Sequence, residues 1–139
     1  MPAARGRGRA SPTDETRVTD PRPPLHRAPV DAALLRDLVG DDLDLMRELI
    51  ELFRTEGPRL LGLIGEAVDS HDAAALQQAA HALKGSAGSM AARLSTEMAR
   101  DLEVMGRDSR MNEAPEALLC LERELGRVYE ALEVLASAA

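Results

Sequence analysis

Ala79-Ala80-His81-Ala82-Leu83-Lys84-Gly85-Ser86-Ala87-Gly88 decides how the rest of the chain is read. Leu76, Ala79, Ala80, Leu83, Ala87 and Met90 recur at spacings of three and four, which places apolar groups along one side of a helix. That side faces a core. His81, Lys84, Gly85 and Gly88 fall on a second stripe of the same helix, beside the buried one, where solvent is expected. A glycine inside a helix costs about 1 kcal/mol relative to alanine. Two of them next to a histidine and a lysine point to a need for close approach from outside.

Working back from this stretch, Asp69-Ser70-His71-Asp72 reads as a turn. Before it lies a long periodic segment capped by Asp41 or Asp42. Its apolar positions are Leu45, Met46, Leu49, Ile50, Leu52 and Phe53, then Leu60, Leu61, Leu63, Ile64, Ala67 and Val68. Gly57-Pro58 interrupts the pattern without shifting its phase, so one helix kinked near Pro58 is predicted rather than two. A short helix precedes it, from an N-cap at Asp31 through Leu34, Leu35, Leu38 and Val39 to a stop at Gly40. Working forward, the His81 helix runs to Gly88 or Ser89. Leu94, Met98, Leu102 and Met105 mark another helix ending at Gly106, and residues 107–112 are polar and loop-like. The last helix begins near Ala114-Pro115 and carries Leu118, Leu121, Leu125, Val128, Leu132 and Leu135. With no strand pattern, the expected fold is all-α: an antiparallel four-helix bundle with a short additional N-terminal helix.

Composition agrees. A chain of 139 residues with 45% hydrophobic content is the size of one domain. Phe53 and Tyr129 are its only aromatic residues, so aliphatic side chains must build the core. Residues 1–29 hold six of the eight prolines, and six arginines against Asp14, Glu15 and Asp20, a balance of +3. They read as a disordered leader, with the folded domain over residues 30–139. The net charge of -7 leaves -10 for that domain, which argues against nucleic acid as its partner. No apolar run is long enough to cross a bilayer, no apolar signal segment opens the chain, and a single cysteine excludes an internal disulfide. A cytoplasmic, monomeric protein with no membrane contact is expected.

His81-Ala82-Leu83-Lys84-Gly85-Ser86, followed by Ala92, Leu94 and Leu102-Glu103, resembles the signature of histidine-containing phosphotransfer (HPt) domains. The similarity covers roughly residues 31 to 137, including Phe53, Glu56 and Pro58. It implies a bundle with His81 projecting from mid-helix, accepting a phosphoryl group from the aspartyl phosphate of one receiver domain and passing it to another. Lys84 would be the lysine beside the phosphohistidine and Gly85 the small residue that admits the partner. The implied partners are response-regulator receiver domains and a hybrid histidine kinase. Two positions depart from the pattern. Ala91 stands where glycine is usual, so that Gly88 is expected to supply flexibility one turn earlier, and Met98 stands where a small residue or cysteine is common.

The residues support such chemistry without the family. An exposed imidazole, with an unperturbed pKa near 6.5, is largely an unprotonated nucleophile near neutrality. Phosphoryl transfer depends mostly on positioning and charge stabilisation. No carboxylate cluster is evident near His81 in the sequence, so this chain is expected to bind no cofactor and the Mg²⁺ to sit on the receiver. Lys84 can bring an ammonium beside phosphoryl oxygens. It is the only lysine among 17 basic side chains, which suggests selection for a compact charge. Gln78 and Gln77, three and four residues before His81, could lie near its ring, and with Gly85 and Gly88 they are the expected partner-binding residues. His71 and His26 read as turn and tail residues, Cys120 as a buried thiol, and Met90, Met98 and Met105 as core. Two rivals remain. A dimerising kinase core fits poorly, because Ala82 follows His81 where an acidic residue is usual and no nucleotide-binding domain follows. A helical adaptor that docks receiver or kinase domains without being phosphorylated is the alternative.

Overall fold

The computed structural model describes residues 28–138; the proposed leader therefore lies almost wholly outside the described residues. Among the described residues five α-helices follow one another: α1 Ala32–Leu38, α2 Leu43–Asp69, α3 Ala73–Ser89, α4 Arg93–Arg107 and α5 Ala114–Ala138, with a 3₁₀ turn at Met111–Glu113 before α5. The four long helices form the bundle, each packed on two neighbours in the ring α2, α3, α4, α5. Asp31, Asp42 and Asp72 cap α1, α2 and α3, each accepting the backbone N–H three residues on at 3.0 Å. No helix among the described residues is long and apolar enough to cross a membrane.

The links between helices repeat one backbone solution. Gly40, His71, Ala91 and Ser109 each adopt a left-handed conformation, with φ from 53° to 62°. In each case the next N–H reaches back five residues, as Asp72 does to the Ala67 carbonyl (2.9 Å) and Ala92 to the Ala87 carbonyl (3.1 Å). This is the Schellman stop. It answers the departure at Ala91: alanine itself takes up the left-handed position, φ +55°, while Gly88 stays helical within α3. The Ala91 carbonyl is further held by the Asp31 N–H at 2.9 Å, so α1 closes over the turn that follows α3.

Burial along α2 falls on Met46, Ile50, Phe53, Gly57, Leu60, Ile64 and Ala67, an alternation of four and three that forms a single seam. Leu45, Leu52 and Leu63, expected on the apolar face, each sit one residue off this seam, about 100° around the helix, and are exposed. Cys120 is exposed for the same reason, standing beside buried Leu121 rather than on its face. Pro58 lies inside an unbroken α2, on its exposed outer side. Gly57 is a seam position kept open for Tyr129, whose hydroxyl would collide with any Cβ there and whose ring packs on Phe53 at 5.7 Å.

Gly106 is not the helix stop that its type suggests. It is buried within α4, and a Cβ there would lie 2.6 Å from the Gln77 nitrogen and 2.8 Å from the Ala73 carbonyl oxygen of α3. Backbone meets backbone at this point, and only glycine permits it. Gly106→Ala must push α3 and α4 apart, with an expected loss of about 1–3 kcal/mol in denaturant unfolding. A variant as stable as the parent would show that the helices do not meet so closely.

Candidate functional site

The close contact at Gly106 brings α4 alongside the outer stripe of α3. One turn before that glycine, Glu103 projects onto the stripe and meets both of its basic side chains. Its Oε2 lies 2.7 Å from His81 Nδ1, and its Oε1 lies 2.7 Å from Lys84 Nζ. The histidine is open to solvent, with 68% of its side chain exposed, whereas Glu103 is 18% and Lys84 28% exposed. The carboxylate is thus tucked between two cation-forming groups, and the ring stands above it.

The electrostatics follow from that placement. The Lys84 ammonium, and then the His81 ring, hold the Glu103 carboxyl below its ordinary range against the opposing effect of burial. Arg107, one turn on in α4, also feels the Glu103 charge, although its own main partner is Asp108 at 3.0 Å. An ionised Glu103 can only accept a hydrogen bond. The proton of a neutral His81 ring therefore resides on Nδ1, donated to Oε2, and the Nε2 lone pair is left free on the exposed side.

Sequence reasoning placed His81 and Lys84 on one stripe, and they are brought together through a shared carboxylate rather than by direct contact. Gln78 is exposed and lines a shallow groove between α2 and α3 with Arg59, Leu63 and Ala82; half-buried Gln77 presents its backbone to Gly106. The ring's hydrogen bond goes to Glu103, not to either glutamine. Gly85 and Gly88 are both exposed. A Cβ at Gly85 would meet nothing within 4 Å, and one at Gly88 only Thr96 Oγ1 at 4.0 Å, so the packing of the bundle requires neither glycine. Glu103 is the member of this cluster that spacing could not supply. It lies 22 residues from His81 in a different helix, and its only sequence signal is membership of the Leu102-Glu103 pair. Among the described residues, no group of three or more histidine, cysteine, aspartate or glutamate side chains is placed to hold a metal ion.

Since Glu103 ionises at lower pH in the folded chain than in the unfolded one, its hold on Nδ1 is complete above the ordinary carboxylate range and is lost only as pH falls through the lowered value. Nitrogen NMR of the imidazole at pH 8 should therefore show one tautomer, protonated on Nδ1, and Glu103→Ala should shift the ring toward a mixture. The same tautomer ratio in both proteins would exclude the carboxylate as its determinant.

Comparison with known proteins meets this geometry from the outside. The family model for the Hpt domain matches residues 48–131, which spans more than half of the chain. Among solved structures, the chain is similar to histidine-containing phosphotransfer protein B from Pseudomonas aeruginosa PAO1, with a TM-score of 0.76 and 25% identity over 81% of this chain and 98% of that one. Comparison with curated proteins finds no match.

Proposed function

Because the chain belongs to the Hpt domain family and is a histidine phosphotransfer protein of phosphorelay signalling, we propose that His81 is the residue that carries the phosphoryl group, on Nε2. The observation that carries this reading is the Nδ1 contact with Glu103 at 2.7 Å, which leaves Nε2 as the nucleophile on an exposed face. His71 is the alternative within the described residues, but it serves as the left-handed residue of a helix stop. A receiver aspartyl phosphate approaches in line. The Nε2 lone pair forms the bond to phosphorus as the bond to the aspartyl oxygen breaks, and the carboxylate leaves with its electron pair.

In this reading the receivers and a hybrid histidine kinase are the partners, the Mg²⁺ belongs to the receiver, and no cofactor is bound by this chain. Gly85 and Gly88 keep the surface low around Nε2, and Gln78 lies in the part of α3 that a docked receiver would cover. Lys84 provides positive charge beside the phosphoryl oxygens. The module acts as a monomer in the cytoplasm, with residues 1–29 as a leader to a domain spanning residues 30–139.

Incubation with a phosphorylated receiver and Mg²⁺ should label the wild-type protein and leave His81→Gln unlabelled, and equal labelling of the two would overturn the assignment. In the same assay Gly85→Gln should keep the fold, as judged by its unfolding curve, and lose at least about tenfold in transfer rate, on the order of 1.4 kcal/mol. Unimpaired transfer would remove the role given to Gly85.

A further inference from the structure

One carboxylate serves two groups at equal distance, Lys84 Nζ and His81 Nδ1, each at 2.7 Å. With a neutral ring the charges balance locally, one ammonium against one carboxylate. A phosphoryl group on Nε2 changes both sides of that balance, because it adds a dianion and turns the ring, which keeps its Nδ1 proton, into a cation. Lys84 is three residues from His81 on α3, within side-chain reach of whatever the ring carries, and its attraction to a dianion is about twice that to a single carboxylate at equal distance. Glu103 meanwhile faces a ring that has become positive, and its hydrogen bond to Nδ1, already charge-assisted through the carboxylate, gains the attraction of a cationic donor.

We propose that Glu103 is a positioning residue that gives up one of its two partners during the relay, releasing Lys84 to the phosphoryl oxygens while it keeps hold of the Nδ1 proton of the phosphorylated ring. The inference rests on the reading of His81 as the carrier. Its consequence lies in the donating step. When the next receiver's aspartate attacks phosphorus, the bond from Nε2 to phosphorus breaks and its electron pair returns to Nε2. With the proton kept on Nδ1 the ring departs as neutral imidazole. Were that proton lost to solvent beforehand, the ring would have to depart as an imidazolate anion, a far poorer leaving group. Loading the ring thus frees the base that keeps it ready to unload.

Because Lys84 is the only lysine of the chain, labelling with ¹⁵N-lysine gives a single ammonium signal that reports its partner. In the unphosphorylated protein this signal should move on Glu103→Gln. After phosphorylation with a phosphoramidate salt it should move in wild type and then become insensitive to Glu103→Gln. Donation from phosphorylated Glu103→Gln to a receiver should be slower by about tenfold at unchanged melting temperature. An ammonium signal that stays on Glu103 in the phosphorylated protein, or equal donation rates, would overturn the proposal. A His81 that takes no phosphate from phosphoramidate or receiver would instead remove the reading beneath it.

Discussion

The approach of α4 to α3 at Gly106 is the constraint on which the chemistry depends. Helices bearing ordinary side chains at their crossing stand 8–10 Å apart, whereas here a backbone nitrogen and a carbonyl of α3 occupy the space a methyl group would need. The consequence appears one turn away, where a glutamate side chain of ordinary length spans the gap and contacts two α3 residues at once. With the axes further apart, Glu103 would reach solvent before it reached His81. A glycine that reads in sequence as punctuation is therefore part of the means by which an imidazole is oriented.

That orientation is achieved without burying the histidine. Removing an imidazole from water favours its neutral form but also closes it to a partner that must bring its own reacting group. Glu103 resolves this by being the sheltered member of the pair: the carboxylate is largely covered while the ring remains mostly exposed. The rigidity comes from helices rather than loops, since α3 is fixed by a buried face of Leu76, Ala79, Ala80, Leu83 and Ala87 and ended by a hydrogen-bonded stop that α1 covers. Side chains placed on such elements hold their geometry better than side chains placed on loops.

The fold was legible in the sequence because helix faces are a one-dimensional signal. Asp31 reads directly as a cap and Asp42 as one of two candidates, and the seam through Ile50, Phe53, Leu60 and Ile64 reads from its spacing. Where the reading failed, the error was of phase or of neighbourhood. Leu45, Leu52, Leu63 and Cys120 are apolar residues adjacent to seam positions, and hydropathy does not resolve a rotation of 100° when both neighbours are apolar. Gly106 failed differently, since a glycine near the end of a periodic segment is more often a stop than a crossing point. For the site, His81 and Lys84 are visible because they share a helix. Glu103 is not, because its proximity is created by packing between helices, for which spacing along the chain carries no information.

The outer glycines complete the physical account. Gly85 and Gly88 each cost the helix about 1 kcal/mol, and neither relieves a clash inside the bundle, unlike Gly57 and Gly106, whose absent side chains make room for Tyr129 and for α3. Stability alone would favour alanine at both outer positions. What alanine or anything larger would take away is a low surface on the stripe from which Nε2 must be reached. With His81 as the proposed carrier, in-line transfer requires the partner's aspartate to approach within bonding range of an atom on a helix, and a low surface beside that atom eases the approach. In the proposed reading the two kinds of glycine answer the same steric problem, one kind for contacts the bundle makes with itself and the other for the contact with a receiver while a phosphoryl group is in passage.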